Sequence, residues 1–258
     1  MARSKRTLAL SLLLIAILGV FAFTAPLPFT VITPGDTVNT LGKDAAGDPV
    51  IQITGATPNP TEGQGQLLLT TIRADDPDTE HHLAGLLDAW FDSSEAVVPK
   101  KSVYPEGKSK AQIIQQVTQD MVESQDHAVV AALNYLKLDP NQVKVKLNAG
   151  DIGGPSAGLM FSLGIVDMLG AQNLTGGQVI AGTGTIDDTG KVGPIGGIEM
   201  KTKGAKKSLA TVFLLPKEEC KKAKAAAPGG LRLVPVETLP QAVDALMALQ
   251  HGGKVPSC

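Results

Sequence analysis

The sequence predicts an α+β (mixed α/β) domain that follows a single N-terminal transmembrane helix. Three observations lead to this prediction. An uncharged apolar segment follows a short basic N-terminus, residues 110–137 repeat apolar side chains at helical spacing, and short strands alternate with helices from residue 143 onward. The length of 258 residues suits one domain with attached segments. With 43% apolar and 19% charged residues, the chain can bury a core.

The N-terminal segment predicts how the chain meets a membrane. Residues 1–6 carry three basic side chains, and residues 7–24 carry no charge. A span needs about 20 apolar residues and at least ~17, whereas the apolar part of a secretory signal is usually about 7–15 long. No clean small-x-small cleavage site follows, so we expect an uncleaved signal-anchor, with a cleaved signal peptide as the alternative. A buried core helix is disfavoured because the segment lacks a polar face.

The basic residues of this segment predict its orientation. Arg3, Lys5 and Arg6 hold residues 1–6 in the cytoplasm, because positive charges flanking a span stay inside. Everything after residue 24 then lies on the extracellular side of the cell membrane.

Composition excludes several functional classes. Aromatic residues make up 3% of the chain, too few for a base-stacking nucleic-acid module. After residue 24 the chain carries 20 basic and 25 acidic residues, so it has no electrostatic reason to bind nucleic acid. Cys220, Cys258 and the four histidines show no metal-ligand spacing, and we expect no metal and no cofactor. The two cysteines could pair with each other, stay free or bridge two chains.

The first part of the exported chain is predicted to be rich in strands. Short apolar runs bounded by Pro, Gly, Asn and Asp predict strands at 29–32, 50–53 and 67–72. A helix is predicted at 82–91. We expect residues 25–65 to form a β-rich membrane-proximal segment and residues 66–250 to form the main folded domain.

The second part alternates helices and strands. Ile113, Val117, Met121 and other apolar residues predict a long helix over 110–137. After it, strands are predicted at 143–147, 178–182, 211–215 and 231–235, and helices at 155–169, 199–209, 218–227 and 239–249. A tight turn is expected at 187–190, and the tail 251–258 is expected to be flexible.

A Gly-x-Ser-x-Gly pattern provides the first candidate for chemistry. Gly154-Pro155-Ser156 and the two residues after them form the turn that leads into the helix predicted at 155–169. Small neighbours let a sharp turn expose the serine oxygen, and the helix N-terminus offers backbone N–H groups to an oxyanion. Proline suits the first helical turn. A phosphate-cradling loop uses similar chemistry and stays an alternative.

A serine nucleophile needs a base, and two residues compete for that role. His251 is the only histidine after Ser156, and it lies in the Gly-rich tail, which argues against a histidine-based triad. Lys201 lies 45 residues after Ser156, near the start of an apolar-faced helix. An ordinary lysine has a pKa of about 10.4, so Lys201 would need burial in an apolar pocket to act as a base at neutral pH.

Four motifs in order resemble the proteolytic domain of Lon proteases. They are DIGGPSAG around Ser156, IAGTGT around Thr183, GKVGPIGGIEMK ending at Lys201, and TVFLLP ending at Pro216. The resemblance is strongest over a core of residues 143–216. With the N-terminal span, the chain is most similar to the membrane-anchored bacterial Lon-like serine proteases that lack an ATPase domain.

The resemblance implies a Ser–Lys dyad and an acyl-transfer mechanism. Ser156, within Gly154-Pro155-Ser156, matches the family's nucleophile, and Lys201 matches its catalytic lysine. Thr183 matches a threonine that helps to position the lysine. Lon proteolytic domains form rings, so the resemblance also implies a homo-hexamer.

The sequence departs from the family pattern at two places. The membrane-anchored relatives usually carry a PDZ domain after the long helix, whereas here only residues 139–142 separate that helix from the next strand. Lon itself carries an acidic residue two before the Pro-Ser pair, and this chain has Gly153 there, with Asp151 further back. Both differences bear on how substrates are captured.

These observations lead to one functional prediction and two alternatives. We expect a serine endopeptidase that cleaves exported or membrane-associated proteins or unfolded segments. We expect it to be independent of ATP, because the nearest candidate for a phosphate-binding Walker motif, residues 184–192, has the wrong spacing. One alternative is a proteolytically silent scaffold or binding module at the membrane surface. The other is an esterase-like hydrolase that uses Ser156 and His251.

Overall fold

The computed structural model describes residues 2–44, 46–105, 107–148 and 154–258. Its helices are α1 (Ala2–Thr24), α2 (Leu83–Phe91), α3 (Lys110–Leu136), α4 (Gly158–Leu169), α5 (Ile198–Lys207), α6 (Cys220–Ala226) and α7 (Leu239–Gln250). Its strands are β1 (Phe29–Asn39), β2 (Ile51–Thr54), β3 (Gln66–Ala74), β4 (Ala96–Pro99), β5 (Lys144–Leu147), β6 (Val179–Gly182), β7 (Thr185–Ile186), β8 (Val192–Gly193), β9 (Val212–Pro216) and β10 (Arg232–Val236). Single 3-10 turns lie at Lys100–Ser102, Pro155–Ala157 and Lys217–Glu219.

The chain divides into two compact units, which are described separately. The first unit holds residues 1–33 and 74–110, and the second holds 34–73 and 111–258. The mixed α/β class predicted from the sequence is confirmed. The domain boundaries predicted from the sequence stay predictions.

The first unit contains the apolar N-terminal helix. Within α1, residues Thr7–Thr24 have a mean hydropathy of 2.5, and none of that segment is buried. Eighteen helical residues extend about 27 Å, close to the ~30 Å of a hydrocarbon core. The helix is therefore long and apolar enough to cross a membrane, and a signal sequence would have the same properties.

The rest of the first unit is a short hairpin with a helix packed against it. Residues 29–32 of β1 pair antiparallel with β4, a strand that the sequence analysis did not predict. The helix α2 buries Leu86 and Ala89 against Val31 of β1. This small apolar cluster holds α2 in place.

The second unit is built on a parallel sheet. The strands β10, β9, β6 and β3 lie side by side in that order, each parallel to its neighbour, and β1 follows β3. Parallel strands need helical connections and are covered on both faces, which the alternating strand and helix pattern of the sequence already required. Each of these strands begins and ends within two residues of its predicted bounds, except β1, which begins as predicted and continues to Asn39.

Side chains of the sheet alternate between two apolar cores. Residues such as Leu67, Ile180 and Leu214 face a large core completed by α3, α4 and α7. Their sequence neighbours, such as Ala181 and Phe213, face a second core completed by α5 and α6. Successive side chains of a strand point to opposite faces of the sheet, and both faces are buried here. The sequences of these strands are therefore continuously apolar.

The last residue of the C-terminal tail is linked covalently to the second unit, and the flexibility expected of residues 251–258 stays a prediction. Cys258 forms a disulfide with Cys220 at the start of α6, and it packs against the second core. The sequence left the state of both cysteines open, because their 38-residue separation does not reveal their distance in the fold. The disulfide fixes the last residue of the chain to the second unit.

Candidate active site

Ser156 lies on a tight turn that its neighbours hold in place. The 3-10 turn Pro155–Ala157 directly precedes α4. Gly154 before it has a φ of +86°, a left-handed conformation that favours glycine. The N–H of Gly154 donates to the carbonyl of Val117, and the Ser124 hydroxyl donates to the carbonyl of Pro155 at 2.8 Å. The long helix α3 therefore fixes the turn that presents Ser156.

The segment after β6 anchors the same turn from the other side. The carbonyl of Ser156 accepts two hydrogen bonds, from the N–H of Gly184 at 2.9 Å and from the Thr183 hydroxyl at 3.1 Å. Both donors follow the carboxyl end of a parallel strand, which is where α/β sheets usually place their functional groups. The position of Ser156 thus depends on the sheet as well as on α3.

Lys201 reaches this turn from α5. The helix begins after Gly197, whose φ is +70°, and Lys201 lies in its first turn. The lysine is only 2% exposed. Its Nζ lies 2.6 Å from Ser156 Oγ and 3.0 Å from Thr183 Oγ1. Residues that are 45 and 18 positions apart in the sequence therefore form one connected set of polar atoms.

The hydrogen bonds of this set have a defined direction. Because the Thr183 hydroxyl donates its hydrogen to the Ser156 carbonyl, its oxygen accepts an N–H from Lys201. A neutral amine has two N–H groups and one lone pair, so the lone pair is free to accept the Ser156 hydroxyl hydrogen. The Lys201 amine thus lies within hydrogen-bond distance of both the Thr183 hydroxyl and the Ser156 hydroxyl.

Burial changes the protonation of Lys201. Removal from water lowers the pKa of its ammonium from the ordinary 10.5 to about 7, while the negative charge of Glu219 acts in the opposite direction. The neutral amine is then abundant near neutral pH. Ser156 and Lys201 together have the geometry and the protonation state of a nucleophile and its general base.

Comparison with known families identifies the domain. A profile of the Lon protease (S16) C-terminal proteolytic domain matches residues 71–248. The chain belongs to the Lon protease (S16) family. This match confirms the resemblance seen in the sequence and supports a serine peptidase. A comparison with curated proteins finds no match.

Two histidines of the second unit, His127 and His251, form hydrogen bonds with groups other than Ser156. The Nδ1 atom of His251 is hydrogen-bonded to the carbonyl of Met247 at 2.8 Å, at the end of α7. His127 pairs with Asp188 at 2.7 Å, and neither histidine is joined to Ser156 by any hydrogen bond among the described residues of this Lon domain. A histidine-based triad therefore has no geometric support. Asp151 and Gly153, which differ from the Lon pattern, lie outside the described residues.

The sequence analysis missed Glu219 as a residue that acts on this site. Glu219 is 6% exposed, and its charge bears on Lys201. Its carboxylate lies 3.4 Å from the exposed Lys222 ammonium. No sequence signal separates it from the adjacent Glu218, because both follow the strand β9, and only the fold buries one of them.

A cavity of about 360 Å³ lies beside the serine turn, within the second unit. Its walls come from α3, from Pro155 and from the strand β7. The residues that line it are Asp120, Glu123, Ser124, His127, Pro155, Thr185 and Ile186. Space for part of a polypeptide substrate therefore adjoins the turn that carries Ser156. No group of side chains in the described part of the Lon domain could hold a metal ion.

Proposed function

We propose that this Lon-family protein is a membrane-anchored, ATP-independent serine endopeptidase in which Ser156 is the nucleophile and Lys201 the general base. The observation that carries this proposal is the 2.6 Å contact between Ser156 Oγ and the Nζ of a buried lysine. A buried lysine with a pKa of about 7 is costly to maintain, and such groups concentrate at catalytic sites.

Acyl transfer then proceeds in two stages. The Lys201 lone pair takes the Ser156 proton while Oγ bonds to the peptide carbonyl carbon, and the carbonyl electrons move to its oxygen. The N–H of Ser156, at the start of the turn before α4, is the proposed donor to that oxyanion. When the C–N bond breaks, the Lys201 ammonium gives its proton to the leaving amine. A water molecule then cleaves the ester with Lys201 as base, and a proton returns to Ser156 Oγ.

The proposed substrates are exported or membrane-associated proteins and unfolded segments. Residues 184–192, the nearest candidate for the phosphate-binding motif that ATP-driven unfolding needs, have the wrong spacing for it. The site would therefore act on chains that are already extended. A disulfide between Cys220 and Cys258 supports an oxidising location outside the cytoplasm. The basic residues before α1 support an N-terminus in the cytoplasm and a catalytic domain on the extracellular side.

The test is cleavage of an unfolded protein by the purified full chain in detergent, without ATP. We expect activity in the parent protein and its loss in Ser156→Ala and in Lys201→Ala. Lys207→Ala, an exposed lysine on the same helix α5, is the matched control and should keep full activity. An inactive parent across the pH range 6–9 would favour a silent scaffold, and activity that survives Lys201→Ala would rule out the dyad.

A hexameric ring is proposed from family membership alone. Sedimentation of the full chain in detergent tests it, and a monomer at high protein concentration would contradict it.

A further inference from the structure

The helix α2 of the first unit carries an apolar face that the described part of the chain leaves exposed. Leu87, Trp90 and Phe91 are 44%, 69% and 83% exposed. Their spacing of three and four residues places them on one side of the helix. An adjoining side of the helix already buries Leu86 and Ala89 in the core of the unit. The exposed face is therefore not needed to hold α2 in place, although its exposure is unfavourable in water.

This face lies close to the point where the chain would leave a membrane. The helix α1 ends at Thr24, and three residues later the N–H of Leu27 donates to the carbonyl of His81 at 2.8 Å. Three residues extend at most about 10 Å. The helix α2 begins two residues after His81, and α1 and α2 are in contact. The headgroup layer beyond a hydrocarbon core is about 5–8 Å thick on each side. If Thr7–Thr24 spans the core, α2 starts at the depth of the headgroups.

We propose that α2 is a second membrane contact, with Leu87, Trp90 and Phe91 inserted into the headgroup region of the bilayer that α1 spans. This inference rests on the membrane anchor of the proposed function and is independent of the Ser156–Lys201 chemistry. The occupant of the apolar face is lipid, and the helix lies along the membrane surface.

The chemistry of the face suits a membrane interface. Tryptophan concentrates at the headgroup level because its ring is apolar and its N–H can bond to water or lipid. Asp88 and Asp92 are also exposed, and they keep the helix from entering deeper than its apolar face. The N–H of Lys100 donates to the carbonyl of Pro28, so a basic residue that can attract anionic lipid also lies near the membrane exit.

The area of the face is too small for a stable protein partner. Complete burial of two aromatic side chains and a leucine removes roughly 500 Å² from water. A specific protein interface needs about 800 Å² from each partner. A bilayer requires no such minimum, because α1 already provides the attachment and α2 only adds to it.

The test uses the fluorescence of Trp90, the single tryptophan of the chain. The full chain is reconstituted into phosphatidylcholine vesicles whose acyl chains carry bromine, a quencher, either near the headgroup or near the bilayer centre. Flotation and resistance to alkaline extraction report separately whether α1 has inserted. We expect Trp90 to lose most of its emission with shallow bromine and little with deep bromine, and to resist quenching by acrylamide in the water.

Two variants make the assignment specific to this face. Leu87→Ser with Phe91→Ser removes two exposed side chains and keeps the reporter, and it should restore access of acrylamide to Trp90. The matched control is Val122→Ser with Val130→Ser, which removes two exposed side chains of α3 and should change neither readout. Chains that float but keep an unquenched, acrylamide-accessible Trp90 would overturn the inference. A lipid-independent blue shift that grows with protein concentration would assign the face to a second protein copy and would also overturn it. Failure to float would refute the anchor itself.

Discussion

Replacing Glu219 by glutamine should shift the pH dependence of proteolysis downward. The carboxylate of Glu219 is buried at 6% exposure and favours the charged form of Lys201, against the larger effect of desolvation. Glutamine keeps the size of the side chain and removes its charge. Lys201 would then lose its proton at a lower pH, so the base would become competent in more acidic solution.

The magnitude follows from the protonation of Lys201. With a pKa of about 7 in the parent, kcat/KM should fall about tenfold for each pH unit below 7. Loss of one nearby charge shifts a buried group by roughly one unit. We therefore expect the acid limb in Glu219→Gln to lie near pH 6, and kcat/KM at pH 5.5 to exceed the parent value by up to about tenfold.

The assay is kcat/KM for an unfolded protein substrate between pH 5 and 9. The matched control is Glu218→Gln, which removes the neighbouring exposed carboxylate and should leave the profile unchanged. An acid limb that stays in place in Glu219→Gln, or that moves upward, would refute the electrostatic role of Glu219. A profile in which both variants shift equally would show a general effect of net charge.

Three further predictions concern the site and the core. Thr183→Val removes the hydroxyl that lies 3.0 Å from Lys201 Nζ and should lower kcat by about ten- to a hundredfold, whereas Thr183→Ser should keep most of it. Lys201→Met should raise the free energy of unfolding, most at pH 7 and below, with the gain shrinking toward pH 10.5. Gly164→Ala would place a Cβ 2.6 Å from Ile51 Cδ1 and 2.8 Å from Thr40 Oγ1, and should cost about 1–3 kcal/mol in urea unfolding.

The pH dependence of the stability gain in Lys201→Met follows from the number of protons bound by the folded and the unfolded protein. The folded protein has lost the Lys201 proton above about pH 7, whereas the unfolded chain keeps it up to about 10.5. Stability rises with pH wherever the unfolded state binds more protons, so the cost of burying this lysine falls across that window. A stability gain in Lys201→Met that is independent of pH would contradict this account.

Thr183→Val and Gly164→Ala each have a matched control variant. An equal loss of activity in Thr183→Val and Thr183→Ser would point to packing rather than to the hydroxyl. For Gly164→Ala, the control is Gly85→Ala, because a Cβ at Gly85 would meet nothing within 4 Å. Thr40 is the less yielding neighbour of Gly164, since its hydroxyl is bonded to the carbonyl of Leu67. An unchanged urea midpoint in Gly164→Ala would show that the core can relax around the extra methyl group.

The fold has to offset the burial of Lys201. A pKa lowered from 10.5 to about 7 corresponds to roughly 5 kcal/mol of differential destabilisation of the ammonium. That is a large part of the net stability of an ordinary domain, about 5–15 kcal/mol. Apolar burial on both faces of the parallel sheet supplies the stabilising free energy that opposes this cost. A rigid position for the amine is thus gained at the expense of stability, as is common at catalytic sites.

Periodicity and spacing predicted most of the second unit. The helix α3 was predicted within one residue of its observed bounds, because its apolar residues recur at helical spacing over seven turns. The strand β4 was not predicted, since a four-residue apolar run with a proline carries too little pattern. The pairing of Cys258 with Cys220 was left open by the sequence, because it depends on a distance that only the fold sets.

The sequence by itself determined the family, the mixed α/β class, the apolar N-terminal helix and the candidate residues Ser156, Thr183 and Lys201. These follow from local patterns and from motifs in a fixed order. The tertiary structure alone decided that Lys201 is buried within 2.6 Å of Ser156, that Thr183 Oγ1 lies 3.0 Å from its amine, and that Glu219 rather than Glu218 opposes its desolvation. Burial and distance between remote residues arise from packing, and the pKa of a lysine depends on both.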